Sequence, residues 1–459
     1  MVISGAVVLA LQVWLFHAGT RDFDEGVYWQ SVRALSRGEP LFRSVFASQP
    51  PAFYYTLLPF YLLSHAFGAL RLTVLLFALV GLAAGYAAAR MLAGPTSGLI
   101  ALILLLGSPL YIHEAGIVQA DMPSVAMMLV AVALAIATTR DGTRGVVPLS
   151  ALTGAALGLA IGLKFSGAVA AIPVVLLLLT PRRQPVRVLV AAAAGVVVTL
   201  LVIFLPALRD PSAAYADLVA GHLLAGQAAR AGILANAARL LDRSSLPLLA
   251  VGLAGAVIAV RRHDPRTVAP LGWVIGAIAA ILIYHPLFPH HLLILPPALA
   301  LAAAVGFADL AAWRAAWLPG FAAAVLVVST VGLVRGFRDA QRTFMPNGHD
   351  LAVAAAMRAA SRPGDFVITD NAYAVGLADR DLPGPLVDAS HERIAAGLLT
   401  VVDLDAARNN YGVKVLVTDN GRLQSVPGFS DWLHTHFRLV EPIGSHAALY
   451  FALEKSGEY

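Results

Sequence analysis

Long apolar runs, broken at intervals by short polar clusters, dominate the first three quarters of the chain. A helix that crosses a bilayer needs about 20 consecutive apolar residues. Stretches of that kind run near 2–18, 70–89, 97–112, 122–139, 147–163, 166–180, 188–207, 245–260, 268–284, 291–308 and 316–334. They predict about eleven spanning helices. A further apolar stretch, Ala52 to Gly68, is short and aromatic-rich, holds Pro59 and His65, and follows Pro50 and Pro51. From about Arg335 the pattern changes. Asp365–Asp370 and Lys414–Asp419 read as buried strands ending on turn residues. His349–Ala360 and Asp403–Asn410 read as helices, with Pro363-Gly364 as a stop before the first strand. Phe437–Pro442 and Ala447–Leu453 read as a closing strand pair. The fold class expected is an α-helical polytopic membrane domain over 1–334, followed by a small α/β domain over 335–459.

Composition agrees. Of the 459 residues 59% are hydrophobic and 13% charged, against about 25% charged in soluble domains. A chain so poor in charge cannot clothe itself for water, so lipid is its main solvent. The net charge of +5 comes almost wholly from Arg, with Lys only at Lys164, Lys414 and Lys455. In a membrane chain such basicity signals orientation before it signals nucleic acid, and no nucleic-acid partner is expected. There is no Cys, which excludes disulfides and thiolate metal sites. The uncharged run from Met1 to His17 lacks the basic start of a cleaved signal and reads as a retained first helix. The prevalence of Arg and Ala over Lys suggests a GC-rich, bacterial genome.

Charge also orients the loops. If Ala52–Gly68 does not cross, the loops with Arg90, Arg140 and Arg144, Arg182, Arg183 and Arg187, Arg261, Arg262 and Arg266, and Arg314 all share one side. The short loops 113–121 and 285–290 fall on the other and contain no Lys or Arg. Ala52–Gly68 is therefore read as an interfacial or re-entrant helix. The segment 19–69, the loops 113–121 and 285–290, the segment 208–244 and the C-terminal domain all come to the outer face of the inner membrane.

The most informative stretch is Arg21-Asp22-Phe23-Asp24-Glu25-Gly26-Val27-Tyr28. Asp24 is placed to cap a helix whose Tyr28, Val32 and Leu35 fall on one side, ended by Gly38 and Pro40. Such a helix would lie along the membrane with three carboxylates, Asp22, Asp24 and Glu25, at the boundary. Alone, the segment reads equally as a solvated, capped loop. Asp121, in Gln119-Ala120-Asp121-Met122-Pro123, sets another carboxylate at a helix entrance on the same side, where a plain N-terminal role is also common. His285, His290 and His291 cluster at the outer ends of two helices, as structural residues or as contacts to an anion. Their spacing does not match an HExxH-type zinc site. Lys164 stands alone between two apolar helices, as a functional cation or as a side chain snorkelling to the surface. Carboxylates beside cations at a membrane boundary suit one chemistry. A carboxylate takes the proton from an acceptor hydroxyl as its oxygen attacks a sugar carbon, and a cation stabilises a lipid-phosphate leaving group.

At these residues the chain resembles the GT-C superfamily of polytopic glycosyltransferases, in the branch of the protein O-mannosyltransferases and the lipid A aminoarabinose transferase. The resemblance spans about 300 residues and rests on Asp24-Glu25, Tyr28, Gly38, Gln49-Pro50-Pro51-Ala52-Phe53-Tyr54-Tyr55, Phe67-Gly68, Arg71-Leu72, Asp121 and His291–Pro297. It implies inverting transfer from a polyprenyl-phosphate sugar to a glycan, lipid or protein hydroxyl. Asp24 would be the base, with Glu25 and Asp121 in support. Tyr28, Gln49, Tyr54 and His285 would contact donor or acceptor. Gln49 stands where the aminoarabinose branch usually has Lys, so Lys164, His290 or His291 would hold the donor phosphate. The late motif begins His-His where many members have Arg-Tyr. The C-terminal domain is expected to help hold the acceptor. No cofactor is required, and a divalent cation between the carboxylates stays open. The competing classes are a transporter or lipid flippase and an inactive envelope scaffold with this fold. A flippase would want ionisable residues in mid-membrane, and few are present. No internal repeat suggests a transporter. No glycine-rich loop follows either strand, so nucleotide binding is unsupported. A nucleotide-sugar enzyme would want its carboxylates on the Arg-rich side, where only Asp141, Asp264 and Asp309 occur.

Overall fold

The structure is a computed structural model. It describes residues 20, 22–139, 145–180, 185–228, 232–241, 246–260, 265–313, a few positions between 320 and 334, and 348–453. The expected first helix at 2–18 lies outside the described residues, and the expected helix at 316–334 lies largely outside them. The elements used below are α1 (Phe23–Ser36), α2 (Pro51–Ser64), α3 (Phe67–Ala93), α4 (Asp121–Thr138), α5 (Val146–Leu163), α6 (Pro265–Ile283), α7 (Leu295–Trp313), α8 (Gly348–Ala360), β1 (Val367–Thr369), α9 (Ala372–Ala378), β2 (Val415–Thr418), β3 (Phe437–Ile443) and β4 (Ala447–Ala452). The chain clusters into two compact units.

One unit holds 72–205 and 231–342 with the chain start. Described helices at Phe67–Ala93, Asp121–Thr138, Val146–Leu163, Val186–Arg209 and Pro289–Phe307 are long and apolar enough to cross a membrane. Four shorter apolar helices accompany them, at Pro95–Leu106, Phe165–Leu178, Leu246–Ile258 and Val268–Ile283. The chain is a multi-pass membrane protein, and each of the other nine expected spans falls on one of these helices. The stretch expected as one helix over 97–112 is broken. It ends at Gly107, and a new helix, Pro109–Glu114, starts with Ser108 as its cap, accepting from Tyr111 N at 3.3 Å. Pro109 explains the break: it has no N–H to continue the ladder and disfavours helical geometry at the residue before it.

Apolar packing offers little drive inside lipid, so close approach of small residues substitutes for it. Gly154, Gly158 and Gly162 recur every fourth residue of α5 and face the helix Pro185–Phe204. A methyl group on Gly154 would stand 1.8 Å from the Ala192 carbonyl oxygen. The other side of that helix exposes Val190, Val197, Val198, Leu201 and Val202, the surface a lipid chain solvates.

The second unit holds 16–71, 206–230 and 343–459. The four expected strands form one sheet in the order β1-β2-β4-β3, with β1 and β2 parallel and the other pairs antiparallel. Both parallel strands are buried on both faces, as their unbroken apolar runs foretold. Leu404, Leu416, Trp432, Leu433 and Phe437 build the core beneath.

The outer-loop helix belongs to this unit. The residue that caps α1 is Asp22, whose Oδ1 accepts from Asp24 N at 3.1 Å, so Asp24 sits one turn position inside the helix rather than at the cap. Tyr28, Val32 and Leu35 are buried within the protein, not laid bare along its surface. The reason is α9, which crosses α1 at two glycines. A methyl on Gly26 would meet Tyr373 N at 2.6 Å, and one on Gly376 would meet the Trp29 ring at 2.4 Å. The far end of α1 is tied by Arg33 to Asp379 at 2.9 Å and by Arg37 to Asp381 at 2.6 Å. Helix α2 ends at His65 in the left-handed region (φ 54°), which separates it from α3. Its 14 residues rise about 21 Å, short of the roughly 30 Å apolar core of a bilayer.

Candidate functional site

Each unit gathers part of the candidate set. In the second unit Glu25 and Arg71 form a buried fork. Arg71 Nε donates to Oε1 at 3.0 Å and Nη2 to Oε2 at 2.8 Å, with the side chains 0% and 1% exposed. Arg71 also lies over the Phe67 ring at 4.6 Å. Both oxygens of Glu25 are thus occupied by a fixed cation, the geometry of a carboxylate that holds shape. Asp24, the neighbouring carboxylate, is only partly buried in the first turn of α1. It stands at the positive end of that helix. Of the two adjacent acids, Asp24 is the more exposed.

Tyr28 and Tyr54 are 1% and 0% exposed and pack with Phe53 in one ring cluster, with centroids 4.8–5.9 Å apart. Burial pushes the Tyr54 phenol far above its ordinary value. The phenol oxygen accepts from Gln49 N at 3.3 Å, which pins the start of the Pro50-Pro51 turn. The segment 206–230 braces the same turn: Ala47 N donates to Asp217 Oδ2 at 3.0 Å, and His222 Nε2 donates to Ser48 O at 2.9 Å.

Burial raises the Asp217 carboxyl to about 7, against the pull of the Ala47 N–H and of Arg393 and with the push of Asp388 and Asp210. The folded value exceeds the unfolded one, so the stability this group contributes is full below about pH 4 and is lost as pH rises through about 7. Asp217→Asn keeps an acceptor for Ala47. It is expected to flatten that part of the thermal stability profile and to exceed wild type above pH 7 by about 2 kcal/mol, after allowing for solvent screening. Unfolding followed in detergent from pH 4 to 8 checks this.

In the first unit Asp121 opens α4 and Lys164 closes α5. The two helices are neighbours in sequence and pack together, with Ser124 Oγ donating to Ala160 O at 2.9 Å. That brings the start of one to the end of the other, with the acid at the positive pole and the base at the negative one. Lys164 Nζ lies 2.6 Å from Asp121 Oδ2, and the side chains are 6% and 1% exposed. Lys164 therefore does not snorkel to a surface. Asp121 Oδ1 is buried with no hydrogen-bond partner among the described residues, and so is His285 Nδ1.

The histidines join the same neighbourhood through Tyr284, a residue the sequence pattern did not single out. Tyr284 lies within electrostatic range of Lys164 and Asp121. Its ring meets His291 at 4.4 Å, and His291 meets His290 at 4.4 Å. Asn236, also unforeseen, donates to the carbonyls of Ile281, Leu282 and Tyr284 and so caps the end of α6. His291 Nδ1 accepts from Phe288 N at 3.2 Å. That nitrogen is then unprotonated, which leaves the proton on Nε2 as a donor. Among the described residues no group of three His, Asp or Glu is placed to hold a metal ion.

The family of dolichyl-phosphate-mannose-protein mannosyltransferases matches residues 48–209. No curated protein matches the chain in sequence. Among solved structures, the chain is similar to ArnT from Cupriavidus metallidurans. The apo form superposes with a TM-score of 0.72 at 18% identity, covering 98% of this chain and 97% of that one. The form bound to undecaprenyl phosphate gives the same score and identity over 100% and 99%. The chain has the GT-C fold. The archaeal oligosaccharyltransferase AglB from Archaeoglobus fulgidus, solved with an inhibitory peptide and a dolichol-phosphate, is a more distant likeness. Its TM-score is 0.54 at 13% identity, over 98% of this chain and 74% of that one. Within that fold the likeness is to the mannosyltransferase family model, whose match begins just before Gln49-Pro50-Pro51, and to ArnT.

Proposed function

We propose that this chain is a glycosyltransferase that moves a hexosyl or pentosyl group from a polyprenyl phosphate to an acceptor hydroxyl, with inversion. The outer face of a bacterial inner membrane is its place of action in this reading, because the Arg-rich loops mark the opposite side. The observation that carries the reading is the end-to-end likeness to an enzyme solved with undecaprenyl phosphate bound.

Asp24 takes the acceptor's proton while the acceptor oxygen attacks the anomeric carbon. The bond from that carbon to the phosphate oxygen breaks on the opposite face, and the polyprenyl phosphate departs with the electron pair. Glu25, fixed by Arg71, supports the turn that carries the base. Lys164 and the Nε2–H of His291, with His290 beside it, stabilise the leaving phosphate in place of the Lys that Gln49 replaces. Asp121 holds Lys164 ready. Gln49 and His285 touch donor or acceptor, and the buried Tyr28 and Tyr54 shape the segment behind them. An apolar pocket lined by Leu110, Leu240, Leu248, Leu292, Leu295 and Leu299 suits the isoprenyl chain. The acceptor is a glycan, a lipid or a protein hydroxyl.

The test is purified wild type with a panel of labelled polyprenyl-phosphate sugars and an envelope fraction as acceptor. Label in the acceptor and free polyprenyl phosphate are expected with at least one donor. No transfer from any donor, together with no retention of undecaprenyl phosphate in native mass spectrometry, would sink the reading in favour of a scaffold.

A further inference from the structure

Two loops of the C-terminal segment start alike. Thr369-Asp370-Asn371 follows β1 and Thr418-Asp419-Asn420 follows β2. The strands are parallel neighbours with Thr369 opposite Val417, so both loops leave the same edge of the sheet. They are laced into one ledge. Asp370 accepts from the backbone N–H of Asp419 at 2.9 Å and of Arg422 at 2.8 Å. Asn371 donates to Asp419 at 2.6 Å, and Asn420 donates to the Asp370 carbonyl at 3.2 Å.

Two residues beyond each Asn, the ledge touches α1. Tyr373 follows Asn371 and lies so close to Gly26 that no methyl group fits between them. Arg422 follows Asn420 and stacks on the Phe23 ring with its guanidinium carbon 3.4 Å from the centroid. Phe23 and Gly26 bracket Asp24 and Glu25. The Asp24-Glu25 turn is therefore gripped on both flanks by matched positions of the two loops.

The chemistry of the Arg422 contact is unusual for mere packing. Its Nε and Nη1 are buried with no hydrogen-bond partner among the described residues, an arrangement that costs stability. Met or Leu would cover Phe23 without that cost. What an arginine adds is a flat cation that both covers the Phe23 ring and holds it by a cation–π contact.

We propose that the C-terminal α/β segment positions the reactive carboxylate, with Arg422 as a positioning residue that fixes the first turn of α1. This rests on Asp24 acting as the base in the proposed transfer reaction, so the test has one arm independent of turnover. Full-length Arg422→Gln is compared with wild type by amide hydrogen exchange. Peptides covering residues 22–28 are expected to exchange about tenfold faster while those covering β1 and β2 are unchanged. If the strands loosen as well, Arg422→Lys, which keeps the cation and loses the flat stacking, is read in its place. Unchanged exchange in 22–28 overturns the proposal. In the transfer assay kcat is expected to fall about tenfold with the donor KM constant. An unaltered kcat would also overturn it. Faster exchange with a wild type inactive on every donor would leave the grip standing and refute the transferase reading instead.

Discussion

Replacing Asp24 by Asn is expected to lower sugar transfer by about 10²–10⁴-fold, the usual range for loss of a general base. The substitution keeps the size and planarity of the side chain and removes only its capacity to take a proton. Asp24 is partly exposed, and the cap of α1 is Asp22, so the helix start survives the change. The loss should appear in kcat with the donor KM nearly constant, because the proton moves only in the transition state. Wild-type turnover in Asp24→Asn would shift the base to another carboxylate, and Glu25 would be a poor choice while Arg71 holds both of its oxygens.

Arg71→Met is expected to act on stability rather than on chemistry. It leaves the fully buried Glu25 carboxylate without its guanidinium fork. Unpairing a buried ion pair by removing one partner costs about 3–5 kcal/mol. Replacing both partners by apolar residues of similar volume removes the stranded charge, so Glu25→Met with Arg71→Met should regain much of the loss. Thermal unfolding in detergent measures both variants. A single variant as stable as wild type would show that Glu25 finds another partner. Equal stability of the single and double variants would show that the charge is not the cost. Together, the Asp24 and Arg71 variants separate two adjacent carboxylates into one that reacts and one that holds.

Much of the architecture was legible along the chain. Runs of apolar residues marked the membrane helices because lipid imposes a length and a composition on any segment that crosses it. The two parallel strands of the C-terminal segment were legible because unbroken Val, Ile and Leu runs closing on Asp-Asn suit a buried parallel pair. Asp24, Asp121, Lys164 and the histidines stood out because an ionisable residue at a membrane boundary is costly and therefore noticeable. The helix break at Gly107-Ser108-Pro109 follows from proline chemistry, but apolar runs on both sides of it mask it in the hydropathy pattern.

Partnership was another matter, because it joins residues far apart in the chain. Glu25 and Arg71 are 46 positions apart and Asp121 and Lys164 are 43 apart. Nothing in the local pattern says that Glu25 is locked by a residue so far along the chain. Arg422 and Tyr373 carried no signal at all, since an Arg after Asn-Gly reads as an ordinary solvated turn. Local periodicity and composition thus set the solvent, most of the secondary structure and the residue types available for chemistry. Which charges neutralise one another, and which turn is held still, was settled by long-range packing. Those outcomes depend on burial and on distances of 2.6–3.4 Å set by helix and sheet packing.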